Sequence, residues 1–345
     1  MSKNWVAAAD TTGAVPELMK LKIVTAVHHP PVWSLPGSEA RRIAAALPQH
    51  DVVDVRTADD RRREFPDADV ILSARMTSEE AQLCARVKWI HSTAVGVGSL
   101  LTPEIIDRDI IVTNARGCHA EPIAEHAIAL ALAVRRSLHT AVRRQFDRVW
   151  AQEELQQVPC PPISDSRVLV VGLGEIGSRV AKLAAGLGFT VTGLRRRLDQ
   201  PVPPGVDRVI GVTDLLQELP RTDVLILAAP RTSETGAMIG RAEFAAMKPT
   251  AVLVNVGRGR LVDESALVEA LRTQKIGGAA IDAFEREPVP PDHPLWTLPN
   301  VLLTPHIAAF GSDYWKPAVD LFLENVARFT AGQPLRNVVD KRSGY

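Results

Sequence analysis

Four stretches carry residue types that a purely structural element does not need. In the first, Val168-Leu169-Val170-Val171 runs into Gly172-Leu173-Gly174-Glu175-Ile176-Gly177 and then into a helix-like stretch, 178–187. A G-x-G-x-x-G pattern between a strand and a helix is built to take a pyrophosphate. The first glycine permits the tight turn, the second lets the anion approach the backbone, and the third allows close helix–strand packing. Free N–H groups at the helix start then face the negative charge. The alternative is a glycine-rich turn without a ligand. In the second stretch, Leu253 to Arg260, an apolar strand emerges into Gly257-Arg258-Gly259. There Arg258 offers a planar fork suited to a carboxylate, or else a structural salt bridge, and Arg260 is expected to be solvated. The third and fourth bring Asp282 and Glu287, then Thr304-Pro305-His306, each just beyond an apolar run. In open α/β sheets ligands bind outside the carboxyl ends of strands, which is where all three ionisable groups fall. The competing reading is a satisfied loop histidine and solvated glutamates.

The strand after the glycine turn, 190–194, ends in Arg195-Arg196-Arg197, with Arg195 lying 23 residues beyond Gly172. An NAD site places an acid near here to hold the ribose 2′-hydroxyl. A carboxylate about 4 Å from a 2′-phosphate would be repelled by roughly 4 kcal/mol per charge pair at an effective dielectric near 20, whereas a guanidinium reverses the sign. The pattern therefore favours NADP(H). NAD(H) remains possible if the arginines are solvated and Asp199 or another acid swings in.

The elements that must position these residues alternate. Strands are expected at 22–27, 52–55, 69–73, 89–93 and 110–113, with helices such as 38–46 and 78–87 between them. A helical pattern at 118–144 and a proline-rich linker at 156–162 follow. A second series of strands then comes at 167–171, 190–194, 224–228, 251–256, 278–282 and 301–303, and a last helix at 312–330. Such alternation implies α/β architecture with two parallel sheets, hence two domains. Residues 1–20 read as an N-terminal extension.

Composition limits the remaining options. With 345 residues, 46% of them hydrophobic, the chain can bury two cores. Forty basic and forty acidic residues give a net charge of zero, so no global field would draw it to nucleic acid or an anionic membrane. The longest apolar window, 127–134, is too short for a bilayer span. The first residues also lack a continuous apolar signal-like region. Cys84, Cys118 and Cys160 are odd in number and scattered, which argues against a disulfide framework and fits a cytoplasmic setting. Adjacent His28 and His29 would point to opposite faces of a strand, and His119, Cys118 and His126 have no ligand spacing, so no metal is expected.

From Gly172 to His306 the chain resembles the D-isomer-specific 2-hydroxyacid dehydrogenase family. The resemblance is carried by 172–177, Ser233-Glu234-Thr235-Gly236, Met247-Lys248-Pro249, 255–263, 282–288 and Pro299-Asn300 to Pro305-His306. Upstream, Val95-Gly96-Val97, Asn114 and Ile123-Ala124-Glu125 are compatible with it. The resemblance implies two Rossmann-like or flavodoxin-like domains with the active site in the cleft between them. The substrate domain would be 21–116 completed by 312–345, around a dinucleotide-binding domain at 117–311.

The resemblance also implies roles. Arg258 would hold the substrate carboxylate and carbonyl oxygen, and Glu287 and His306 would form the acid/base pair. Asp282 would contact the nicotinamide carboxamide, and the backbone of Val95, Gly96 and Val97 would bind the substrate carboxylate. The nucleotide set would be Gly172, Gly174, Glu175, Ile176, Gly177, Arg195, Arg196, Pro230, Thr235, Val256 and Asp282. The implied reaction is hydride transfer between a nicotinamide and a small 2-oxo or D-2-hydroxy acid, such as glyoxylate or hydroxypyruvate. The implied assembly is a homodimer joined through the long helix after Asn114, although its alanine-rich part is equally a packed core helix. Alternatives are an NAD-linked dehydrogenase of a bulkier acid, or a cofactor-sensing protein like the related co-repressors. Gly98 stands where many relatives have Asp, and Ala283 where Val is commoner, which bears on the substrate. Glu287 argues against formate dehydrogenases, which have glutamine there. Residues after 330 are too few for the regulatory domain of many phosphoglycerate dehydrogenases, so serine feedback is not expected.

Overall fold

The computed structural model describes residues 20–29, 33–232 and 234–344. They divide into two compact units: the chain up to Cys118 together with Ser312 onward, and His119–Gly311.

The first unit is built on β1 (Lys22–Thr25), β2 (Asp51–Asp54), β3 (Val70–Leu72), β4 (Trp89–His91) and β5 (Ile111–Thr113). They form one parallel sheet in the order β2-β1-β3-β4-β5. Successive side chains leave a strand on opposite faces, so a sheet covered on both sides needs apolar residues at every position. Ile23, Val70, Leu72 and Trp89 accordingly enter one core, and Val24, Ile71 and Ile90 the other. The C-terminal helix Trp315–Thr330 covers the first of these faces, with Phe322 and Phe329 each 5.5 Å from the Trp89 ring. A short hairpin pairs His28–His29 with Trp33–Ser34.

The second unit opens with α1 (Ala120–Arg135) and α2 (Leu138–Phe146). The continuous helix expected over 118–144 is broken at Ser137, which takes a left-handed φ of 54°. Just before the break, the buried Arg135 is held by the Pro161 and Pro162 carbonyls and the Ser166 hydroxyl, which fixes the end of α1 to the proline-rich linker. One face of α1 is core: Ala124, Ala127, Leu130, Ala131 and Val134 are buried against the sheet and its neighbouring helix.

Seven parallel strands follow. They are β6 (Arg167–Val171), β7 (Thr190–Leu194), β8 (Arg208–Ile210), β9 (Val224–Leu227), β10 (Val252–Asn255), β11 (Gly278–Ile281) and β12 (Val301–Leu303), in the order β8-β7-β6-β9-β10-β11-β12. The chain starts in the middle, winds outward one way through β7 and β8, and restarts at β9 on the other side of β6. The crevice where the winding reverses, at the carboxyl ends of β6 and β9, is where an α/β sheet receives a ligand. Among the described residues, no helix is long and apolar enough to cross a membrane.

Candidate active site

The glycine turn sits at that reversal. Gly172 has φ +94°, and a β-carbon there would lie 2.8 Å from the Ala229 backbone. One on Gly177 would lie 1.7 Å from the Gly172 carbonyl oxygen, so these two glycines let α3 (Glu175–Gly186) lie against the strand ends. Gly174 differs, because a β-carbon there would meet nothing within 4 Å among the described residues. It caps α3 without any side-chain hydrogen bond, and Glu175 and Ile176 open the helix. Open space beside uncapped N–H groups is what an incoming phosphate requires, so the residues fit a dinucleotide. Nearby, the Thr235 hydroxyl donates to the Pro230 carbonyl at 2.8 Å, joining two expected nucleotide residues in one loop, while Val256 is buried behind it.

The basic edge departs from the expectation. Arg195 is only 9% exposed, and its guanidinium folds back onto the carbonyls of Gln200 and Pro201, the latter at 3.0 Å. It braces the loop after β7 and does not present its fork to a ligand. Arg196 and Arg197 are the exposed members, Arg196 lying 3.3 Å from Glu234. Counting basic residues located the cationic edge, but which side chain turned inward depended on a loop carbonyl pair that spacing does not reveal.

The three ionisable candidates all belong to the second unit. His306 Nδ1 lies 2.7 Å from Glu287 Oε2, the two side chains being 43% and 37% exposed. Glu287 Oε1 accepts the Phe284 N–H at 2.9 Å, so the carboxylate is oriented from both ends. Burial works to raise the Glu287 carboxyl. The hydrogen bonds from His306 and Phe284, with the charges of His306 and Arg258, outweigh it and hold the group below its ordinary value. Glu287 is therefore an anion at neutral pH, able to hold the His306 ring in one orientation through its hydrogen bond to Nδ1. Arg258 senses the same carboxylate: burial lowers its guanidinium and Glu287 pulls it back up. Its Nη1 donates to the Gly257 carbonyl at 2.7 Å. Arg260, two residues on, is half-exposed and pairs with Glu285 at 3.4 Å.

Backbone packing holds this group together. A β-carbon on Gly259 would fall 1.9 Å from the Phe284 carbonyl carbon, so only glycine lets the arginine turn cross the segment that orients Glu287. Asn255 ties the same two segments: its side-chain amide donates to the Arg258 carbonyl at 3.1 Å and to the Ala283 carbonyl at 3.4 Å, and its oxygen accepts the Gly257 N–H. His306 takes φ +54°, a left-handed conformation that costs a residue with a β-carbon roughly 1–2 kcal/mol. Asp282 is 1% exposed and already accepts hydrogen bonds from Thr304, Ile307 and Ala308. The sequence reading named neither Asn255 nor Thr304 as a working residue. The available signal was a polar side chain at the last position of an otherwise apolar strand, or just beyond one.

In the first unit, the loop after β4 carries Val95, Gly96 and Val97. The Asn114 side chain donates to the Val95 carbonyl at 2.8 Å, and the Ser92 hydroxyl accepts the Ala94 N–H at 3.2 Å. Both anchors hold the backbone entering the turn.

A seven-stranded doubly wound sheet with a dinucleotide-type turn and a second, smaller parallel-sheet unit in the same chain define a class of two-domain α/β proteins that take a nucleotide at the strand ends. The model of the family described as D-isomer specific 2-hydroxyacid dehydrogenase, NAD binding domain, matches residues 128–308. The chain is 34% identical over 274 residues to glyoxylate reductase of Korarchaeum cryptofilum, covering 79% of this chain and 81% of that protein. It is also 34% identical over 296 residues to D-3-phosphoglycerate dehydrogenase of Archaeoglobus fulgidus, covering 84% of this chain but only 55% of that protein, so it spans about half the length of that relative. Among solved structures, an NADPH-dependent glyoxylate/hydroxypyruvate reductase from Sinorhizobium meliloti, in complex with NADP and sulfate, superposes with a TM-score of 0.80 at 26% identity. That match covers 94% of this chain and 100% of that one. The chain belongs to the D-isomer-specific 2-hydroxyacid dehydrogenase family.

Proposed function

We propose that the protein is a cytoplasmic, NADPH-preferring oxidoreductase that exchanges a hydride with the carbonyl carbon of a small 2-oxo acid such as glyoxylate or hydroxypyruvate. One observation carries this reading: the His306–Glu287 pair, with Glu287 pinned by Phe284 and within the field of Arg258. The second unit would be the nucleotide domain and the first the substrate domain, with 95–97 contributing backbone N–H groups to the substrate carboxylate.

Gly172, Gly174, Gly177 and the start of α3 would hold the pyrophosphate, and Pro230, Thr235, Val256 and Asp282 would line the rest of the nucleotide site. The nicotinamide, when bound, supplies the hydride. His306, with Nδ1 engaged by Glu287, keeps Nε2 to deliver a proton to the carbonyl oxygen as charge develops there. Arg258 orients the oxo acid and stabilises that charge, a task for a planar fork that lysine performs less well. Reduction consumes one proton, so the protonated imidazole is the competent form.

The NADPH preference is supported by Arg196 and Arg197, since Arg195 is committed to its loop. A homodimer is supported by the outer face of α2 and the segment after it. Phe146 and Trp150 are 80% and 89% exposed there, next to an open recess of about 540 Å³ lined by Ala141, Val149 and Leu155. The decisive assay is NAD(P)H oxidation by the purified full chain across a panel of 2-oxo acids. Turnover with NADPH and a small oxo acid is expected, and its absence from folded protein overturns the reading. Replacing Arg196 and Arg197 by serine together is expected to lower kcat/KM for NADPH about tenfold or more relative to NADH. An unchanged ratio removes the cofactor assignment.

A further inference from the structure

A polar chain of His126, Thr304 and the buried Asp282 leads to the turn at His306, and beyond Asp282's proposed place in the nucleotide site the proton transfer above gives it no task. Asp282 Oδ1 accepts the Thr304 hydroxyl at 2.7 Å and the Ile307 N–H at 2.9 Å, and Oδ2 accepts the Ala308 N–H at 3.1 Å. The single hydroxyl proton of Thr304 is thus spent on Asp282. Its contact with His126 Nε2 at 3.2 Å must be one in which the imidazole donates. The same Nε2 lies 3.6 Å from Asp282 Oδ1. The Thr304 carbonyl, in turn, accepts the His306 N–H at 2.9 Å. The backbone is gripped immediately before and after the one residue of this segment with a left-handed φ.

We propose that His126, Thr304 and Asp282 are positioning residues, a directed hydrogen-bond chain that locks the turn at His306 so that its Nδ1 stays on Glu287. The proposal rests on the reading of His306 as the proton donor. A carboxylate is needed at 282 because three donors converge on it from Thr304, Ile307 and Ala308. An asparagine there would turn an N–H toward one of those donors, and a leucine would release all three. His126 adds a brace from α1, so the geometry of the catalytic turn is set by a helix more than 170 residues earlier in the chain.

The test uses the full chain carrying Thr304→Val, Thr304→Ser or His126→Leu. The first readout is the NMR titration of the His306 ring with and without Glu287→Gln, which does not require turnover. Glu287→Gln is expected to move that titration in the wild-type background and to move it less than about half as far in Thr304→Val, because the ring has left the carboxylate. The second readout is kinetic, with NADPH and glyoxylate. Thr304→Val should lower kcat about 10²-fold, the scale of a misplaced catalytic group, while the nucleotide Kd stays within about twofold. Thr304→Ser should restore most of the loss, and His126→Leu should fall between them.

An equal response to Glu287→Gln in both backgrounds overturns the proposal. So does a kcat loss that serine does not rescue, or one matched by an equal loss of nucleotide affinity and of Tm. A wild-type chain without oxo-acid turnover would instead refute the functional reading, and the titration would still decide whether the turn is held this way.

Discussion

Two histidines in this molecule occupy similar places, each at the carboxyl end of a strand in a parallel sheet, and their surroundings make them opposites. His91 is the last residue of β4 and is fully buried. Its Nδ1 meets the Thr113 hydroxyl at 2.6 Å, the Phe322 ring lies 5.6 Å away, and among the described residues its Nε2 has no hydrogen-bond partner. Burial pushes its imidazole down to about 3. His306 stands three residues past β12, half open, with a carboxylate on Nδ1. Position on the fold therefore does not separate a core histidine from one able to serve a ligand; an anionic partner and exposure do.

The largest expected difference between them is in turnover. His306→Ala should reduce kcat/KM by about 10²- to 10⁴-fold with the unfolding midpoint unchanged. His91→Gln should leave activity per folded molecule near wild type. Steady-state kinetics alongside urea titration would check both, and equal activity losses would erase the contrast.

A second test asks whether the site is held by backbone contact. Gly259→Ala forces a β-carbon into Phe284 and should cost on the order of 3 kcal/mol, whereas Gly174→Ala enters open space, leaves stability within about 0.5 kcal/mol and weakens nucleotide binding. Chemical denaturation and nucleotide titration separate the two.

The last contrast is a pH dependence. Folded His91 excludes a proton that the unfolded chain takes up below its ordinary value of 6.5. Its contribution is constant above that pH and is lost as pH falls from 6.5 toward 3, with a slope approaching about 1.4 kcal/mol per pH unit. Urea midpoints measured across that range should show the slope in the wild type and a shallower one in His91→Gln. The same slope in both would assign the acid sensitivity elsewhere.

Much of this was legible in the residues. Strands 167–171, 190–194 and 301–303 have the expected ends; in 168–171 and 301–303 two-sided burial writes the strand as an unbroken apolar run, and in 190–194 the boundary is set by Gly188 before it and the arginines after it. The edge strand Arg208–Ile210 was missed: it is three residues long, follows a proline-rich loop and is half exposed, so it has no such signature. The glycine turn was visible because glycine at those positions has a narrow set of uses, whereas the pairing of Glu287 with His306 came from the family resemblance, since the residues alone also allow a loop histidine and a solvated glutamate. The roles of Arg195, Asn255, Thr304 and His126 were not visible. Their roles depend on which carbonyl or hydroxyl lies within reach, and that is decided by contacts between segments far apart in sequence.

The packing of Phe322 and Phe329 on Trp89 has a consequence for synthesis. Residues 119–311 are contiguous and can close both faces of their sheet as soon as they leave the ribosome. The five strands made before them have Ala40, Ile43 and Leu47 from an early helix and its cap on that face, and its cover stays incomplete until the C-terminal helix arrives, so the segment translated first is the last to finish folding.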